Sequence, residues 1–138
     1  MQSPTRKTHT RNTHTGIDPR LCGTVVQLDE GLAVVRLATT QDMVVDDRGL
    51  VHGGFIFGLA DHAAMLAVND PLVVLGAAQT RFVKPVKRGE TVTAVARIVA
   101  NNGRKHTVGG TVSRGGVAVM LGTFTWFVLQ THVLGGVS

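Results

Sequence analysis

Residues 51–69, VHGGFIFGLADHAAMLAVN, restrict the fold of this chain more than any other stretch. Read as a helix from Gly53 to about Val68, they leave no polar face. Phe55, Ile56, Phe57, Leu59, Ala60, Ala63, Leu66 and Val68 point in every direction. A helix that is apolar all round is buried rather than laid on a surface. At roughly 16 residues it is too short to cross a bilayer comfortably. Two ionisable residues, Asp61 and His62, sit in its middle. A carboxylate inside a buried helix is costly unless it is paired or put to use. His52-Gly53-Gly54 precedes the helix, and its small residues leave the first helical N–H groups open to a ligand.

The 138 residues suffice for one domain with one core, and 43% of them are hydrophobic. Residues 1–20 carry Arg6, Lys7, Arg11 and Arg20 of the net +5 but no apolar periodicity, so they are expected to form a disordered basic tail. Residues 21–132 are expected to form the domain and 133–138 a loose C-terminus. Without that tail the domain is only mildly basic. Aromatics are 4% and do not interleave with basic residues, which argues against a nucleic-acid partner. His9 and His14 read as solvated tail residues, so no metal site is expected. No stretch reads as a signal peptide or a membrane span, and the single cysteine, Cys22, excludes an internal disulfide. The expected location is the cytoplasm, with no membrane partner. Cys22 reads as a buried thiol at the start of a strand.

Strand-like alternation flanks the helix. Thr24, Val26 and Leu28 share one side of a first strand, and Ala33, Val35 and Leu37 one side of a second, across Asp29-Glu30-Gly31. After the helix, Asn69-Asp70-Pro71 is a stop. Residues 73–83 form a strand ended by Pro85. Val92, Ala94, Ala96 and Ile98 then line one face of the next. Asn102-Gly103 and Gly115-Gly116 are hairpin turns. The last strand, residues 117–129, is apolar on both faces, which suits a strand covered on both sides. One helix cannot cover both faces of such a sheet. The natural architecture is α+β, with an antiparallel sheet of five to six strands wrapped round one long buried helix.

The run HGGFIFGLADHAA resembles the hot-dog thioesterase family, in which His-Gly-Gly opens a long central helix and an acidic residue follows within it. The resemblance extends with less specificity through RFVKPVKRGE and covers roughly residues 22–130. It implies the hot-dog fold and an acyl-CoA thioesterase whose site is shared across a homodimer at least, or a tetramer. By that resemblance Asp61 is the catalytic carboxylate, a general base or nucleophile. In similar enzymes an Asn stands six residues before the His-Gly-Gly histidine; here it is Asp46. Some relatives place a Ser ten residues before the proline; here it is Leu75.

The residues support that chemistry on their own terms. An apolar setting raises a carboxyl pKa, which improves Asp61 as a general base near neutral pH. The Gly53 N–H, at a helix N-terminus, can stabilise the oxyanion formed when a thioester carbonyl is attacked. His52 could hold the loop or reach the carbonyl. Gly54, Asp46, Phe55 and Phe82 are candidate substrate contacts, and Phe57 and Met65 could help to line an acyl pocket. Arg81, Lys84, Lys87 and Arg88 around Pro85, with Arg104 and Lys105 after the Asn-Gly turn, could hold the phosphates of coenzyme A, which enters only as part of the substrate; no separate cofactor is expected. Gly53 and Asp61 lie ~12 Å apart along one helix, too far to serve one carbonyl together. Two helices antiparallel about a two-fold axis would bring Gly53 of one to Asp61 of the other. His62 points ~100° from Asp61 and reads as a core or interface histidine. Two other readings are weighed. An enoyl-CoA hydratase of the same fold is suggested by the Asp47-x4-His52 spacing, although Gly49-Leu50 replaces the expected Asn-Pro. A non-catalytic acyl-thioester-binding module is suggested by a likeness of residues 67–90 to lipid-synthesis repressors, although those have Asn in place of the acid.

Overall fold

The computed structural model describes residues 6, 7 and 9–135; the calls on residues 1–5, 8 and 136–138 lie outside the described residues. The chain runs β1 (Arg6–Lys7), α1 (Pro19–Cys22), β2 (Thr24–Asp29), β3 (Leu32–Ala38), α2 (Gly53–Val68), β4 (Val73–Phe82), β5 (Thr91–Asn102), β6 (Lys105–Arg114) and β7 (Val117–Val128). Six strands form one antiparallel sheet in the order β2-β3-β5-β6-β7-β4, and β1 adds two residues parallel to β2. The architecture is the one anticipated, a hot-dog sheet curved round a single long helix.

The helix α2 is the axis of the core. Leu59, Ala63, Ala64 and Leu66 are fully buried, against Leu37, Val92, Val108 and Phe124 of the strands. Four alanines between the larger residues let the sheet close on the helix. The register of β3 with β5 pairs Ala33 with Ala96 and Val35 with Ala94, all facing inward. Asn69 ends α2 in the left-handed conformation (φ 57°), and its N–H donates to the Met65 carbonyl at 2.9 Å. Asparagine tolerates that geometry, so the stop begins one residue before Asp70-Pro71.

Four expectations are corrected. A register shift between Val25 and Gln27 flips the phase of β2, so Val25 and Leu28 face the core instead of Thr24, Val26 and Leu28. The last strand β7 buries Met120, Phe124 and Trp126 on one face, but Leu121 (42% exposed) and Phe127 (37%) lie open on the other. One helix covers one face, and among the described residues nothing covers Leu121 and Phe127 on the second. Cys22 ends α1 rather than beginning a strand and is half-buried.

The fourth correction concerns the supposed tail. Residues 9–20 are packed against the domain. The His9 N–H donates to Leu28 O at 3.0 Å, which continues the β1–β2 pairing. The Asn12 N–H donates to Asn69 Oδ1 at 2.7 Å, and Asn69 Nδ2 donates to Thr10 O at 2.9 Å. Thr13 is 3% exposed. Polar Thr, Asn and Arg look like disorder in a composition. Here the backbone of Thr10 and Asn12 hydrogen-bonds to one asparagine at the end of α2, and Arg11 to His62 within it.

Candidate active site

The loop ahead of α2 hangs from the loop that follows β4. The Val51 N–H donates to Val86 O at 2.9 Å, the His52 N–H to Met43 O at 2.8 Å and the Arg88 N–H to Gly49 O at 2.8 Å. The Thr39 hydroxyl donates to Glu90 O at 2.6 Å and fastens the second loop to the end of β3. These bonds fix where α2 begins. His52 is the N-cap, yet its side chain caps nothing, so the first helical amides are not covered by a side chain. The imidazole instead folds over Gly54. A Cβ at residue 54 would meet that ring at 3.0 Å, so any larger residue there would push the imidazole aside. The ring also meets Phe55 edge-on, with centroids 6.2 Å apart.

Gly53 faces Phe82, whose ring would lie 3.6 Å from a Cβ added at residue 53. Phe82 ends β4, an edge strand, and is 52% exposed. The helix N-terminus therefore opens onto an aromatic wall at an unpaired sheet edge.

Eight residues along α2, burial pushes the Asp61 carboxyl up to about 6. Its Oδ1 is buried and has no hydrogen-bond partner among the described residues. An orphaned buried acceptor is uncommon in native chains and is found where a group is kept for chemistry or for a partner outside the chain. The next residue, His62, is fully buried. Its Nδ1 lies 2.9 Å from Cys22 O and its Nε2 3.1 Å from an Arg11 nitrogen. A guanidinium only donates, so Nε2 accepts and Nδ1 carries the proton to the Cys22 carbonyl. Burial first, then the nearby Arg11 charge, hold the His62 pKa below its ordinary value, against the Cys22 bond that raises it. His62 is a core histidine, as read from the sequence.

The sequence-derived site residues separate into two groups. His52, Gly53, Gly54, Phe55 and Phe82 meet at the helix N-terminus, and Asp61 lies deeper on the same helix. Arg81 pairs with Leu121 on the outer face of the sheet, away from α2. Arg104 and Lys105 sit at the β5–β6 turn, at the other end of strands whose near ends flank Gly53, roughly 20 Å or more away. Within one chain they do not join the site. Lys84 is exposed beside Phe82. Met65 is 2% exposed and belongs to the core, and Phe57 packs on Phe124 at 5.8 Å between centroids. Asp46 does not aim its charge at the helix. Its Oδ1 accepts from the Arg48 N–H at 2.9 Å and the Leu50 N–H at 3.1 Å, so it shapes the loop. Leu75 is 38% exposed on the edge strand.

Sequence reasoning named Asp46 and Lys87 but missed the cleft of about 500 Å3 beside this loop, which they line with Arg48, Leu50, Pro85 and Arg114. Arg114 is tied to Glu90 at 3.3 Å and donates to Pro85 O at 2.5 Å. Arg48 and Lys87 make no ion pair among the described residues. The first and last of these cations lie 66 residues apart, so only the tertiary fold assembles them. No group of side chains among the described residues has the makings of a metal site, and no helix among them is long and apolar enough to cross a membrane.

The thioesterase superfamily pattern matches residues 48–120. A solved structure of an uncharacterized protein, PH1136 from Pyrococcus horikoshii, is 48% identical with a TM-score of 0.91, over 92% of this chain and 98% of that one. A methylthioribose-1-phosphate isomerase of Aquifex aeolicus is 51% identical over 96 residues, which are 70% of this chain but 21% of that protein. The acyl-coenzyme A thioesterase PaaI of Escherichia coli is 29% identical over 113 residues, covering 64% of this chain and 80% of its own. Its solved structure superposes with a TM-score of 0.73 at 27% identity, over 84% of this chain and 82% of that one. The transcription factor FapR of Caldanaerobacter subterraneus is 26% identical over 99 residues, 71% of this chain and 50% of that protein. The chain thus spans only about a fifth of the isomerase and half of the transcription factor. On its fold, its His-Gly-Gly helix and the match over residues 48–120, the chain belongs to the thioesterase superfamily.

Proposed function

We propose that the protein is an acyl-CoA thioesterase, with Asp61 as general base or nucleophile and the Gly53 N–H as oxyanion donor. The observation that carries this reading is the part-buried Asp61 carboxyl, whose Oδ1 is buried without a partner among the described residues and which burial pushes up to about 6, on the same helix as an uncapped His-Gly-Gly terminus. At neutral pH such a group is ionised yet basic enough to take a proton from water, or to attack the thioester carbon directly. As the carbonyl carbon becomes tetrahedral, its oxygen gains charge that the helix N-terminus stabilises.

Gly53 and Asp61 are ~12 Å apart on one helix, so a complete site takes one from each of two chains. The edge strand β4, with Leu75 and Phe82 exposed, suits pairing with a second copy in a homodimer, and the open outer face of the sheet suits further assembly to a tetramer. Lys84, Arg48 and Lys87, grouped at the helix N-terminal end, suit the phosphates of coenzyme A. Phe55 and Phe82 suit the acyl group or pantetheine beside the carbonyl. The single cysteine favours a cytoplasmic enzyme.

Hydrolysis of an acyl-CoA panel by wild type and Asp61→Asn tests the reading. The amide keeps size and hydrogen bonding, so turnover should fall by ~10² or more with affinity kept. Thiol release at an unchanged rate would remove Asp61 from the chemistry. The second reading is a non-catalytic thioester-binding domain, favoured by the likeness to the FapR transcription factor. It predicts tight binding and no turnover in either protein.

A further inference from the structure

Three pieces of chain meet at His62. The residue stands on α2 and is fully buried. Its Nδ1 lies 2.9 Å from the carbonyl of Cys22, the last residue of α1. Its Nε2 lies 3.1 Å from an Arg11 guanidinium nitrogen. That same nitrogen donates to His14 O at 2.6 Å, and Arg11 Nε donates to Thr13 O at 3.2 Å, so residues 11–14 curl round the side chain. On either side of Arg11, Thr10 and Asn12 are held by Asn69, and the His9 N–H donates to Leu28 O. One buried ring therefore joins the segment ahead of α1, α1 itself and the central helix.

This arrangement works only with a neutral ring. A guanidinium has no acceptor, so Nε2 accepts and Nδ1 carries the single proton. A second proton has only Nε2 to go to. It would set an N–H of the ring against an N–H of Arg11, and two positive charges side by side in a buried place. The bond to Cys22 survives, because Nδ1 donates to that carbonyl in either state. The groups around the ring do not offset a charge on it. The segment brings Arg11 and His14, and both oppose it. The side chain of Asp18, at the start of α1, is tied to Arg20. Asp61 is the next residue of α2 and points ~100° away. The buried residues of the strands packed on α2 are apolar, since the buried polar ones among the described residues are Thr13, Thr39 and His62.

We propose that Arg11 and His62 form a pH-operated latch: the neutral ring holds residues 9–14 on the domain, and protonation of Nε2 releases them while α1 stays in place. The latch needs no substrate, so it is independent of the hydrolysis proposed above. The docked segment requires the neutral ring and so binds one proton fewer than the released one. Docking is therefore full above the ordinary histidine value of 6.5 and weakens about tenfold per pH unit as pH falls below it. The loss continues until the docked ring itself takes the proton, and burial holds that point below the ordinary value.

The test is hydrogen exchange by NMR as a function of pH, with each rate divided by its intrinsic value at that pH. Protection of the Asn12 amide reports docking, because that N–H donates to Asn69 Oδ1. Protection of the Gly23 amide, bonded to Pro19 O at 2.9 Å, reports α1. In wild type, Asn12 protection should fall about tenfold per pH unit below about pH 6.5, while Gly23 protection holds. His62→Gln keeps an acceptor for Arg11 but has no proton to gain, so Asn12 protection should no longer vary with pH. His14→Asn, which suits the φ of 48° at that position, should behave as wild type and so exclude the second histidine. If His62→Gln does not fold, Arg11→Met takes its place and should show weak Asn12 protection that is flat with pH. Flat protection in wild type would overturn the latch. So would a tenfold-per-unit loss that persists in His62→Gln or Arg11→Met, one that disappears in His14→Asn, or one that Gly23 shares.

Discussion

Asn69 carries two separate loads, and two substitutions divide them. Its side chain makes two hydrogen bonds to the N-terminal segment, at 2.7 and 2.9 Å. Its backbone holds the left-handed turn that ends α2, at φ 57° and ψ 41°. The bonds lie at a partly exposed site, so each contributes about 0.5–1 kcal/mol. A left-handed conformation costs an ordinary L-residue about 1–2 kcal/mol, less for asparagine and almost nothing for glycine. Asn69→Ala should therefore lose both bonds and strain the turn, a total of about 2–3 kcal/mol. Asn69→Gly should lose the bonds alone, about 1–2 kcal/mol. The difference of about 1 kcal/mol corresponds to roughly 3–5 °C in Tm for a chain of this size. Thermal and urea unfolding at one fixed protein concentration would read it, because an oligomer's midpoint depends on concentration. Amide exchange at Asn12 should quicken in both variants. Equal losses for Ala and Gly would refute the backbone argument. Neither variant changing Asn12 exchange would refute the anchoring.

Other outcomes follow from the same structure. Asp61 holds its proton more tightly folded (about 6) than an ordinary Asp does at 3.8, so its contribution favours the folded chain below about pH 4 and is lost as pH rises through 6. Asp61→Asn should therefore be the more stable protein at pH 8, by at most about 3 kcal/mol, and the gain should vanish by pH 3; denaturant midpoints against pH check this. Gly53→Ala meets only ordinary contact with Phe82 and should fold normally, yet its methyl crowds the carbonyl position and should cut kcat on the order of 10²-fold in a steady-state assay. Gly23→Ala forces a Cβ against Leu59 and Val35 at a positive φ, and calorimetry should show a loss of about 2–4 kcal/mol.

The sequence alone determined the buried helix and its stop, because apolarity on all sides and a turn-forming Asn-Asp-Pro are local properties that no packing choice can reverse. It also determined most of the sheet, since alternation such as Val92, Ala94, Ala96 has one way to face a core. It marked Asp61, because an ionisable group in an apolar helix stands out in one dimension. Only the tertiary structure decided the rest. The bulge at Val26 inverted an alternation that looked regular, because register is set by the neighbouring strand. Arg81, Arg104 and Lys105 looked like company for the site and were dispersed, while Arg48 and Lys87 were gathered. Charge clusters across long sequence separations are made by chain crossings, which leave no local pattern. The N-terminal segment is the clearest case. Its composition is that of a solvated tail, and nothing within residues 1–20 says otherwise. The order of its residues 9–20 comes from hydrogen bonds to two residues far along the chain, His62 and Asn69.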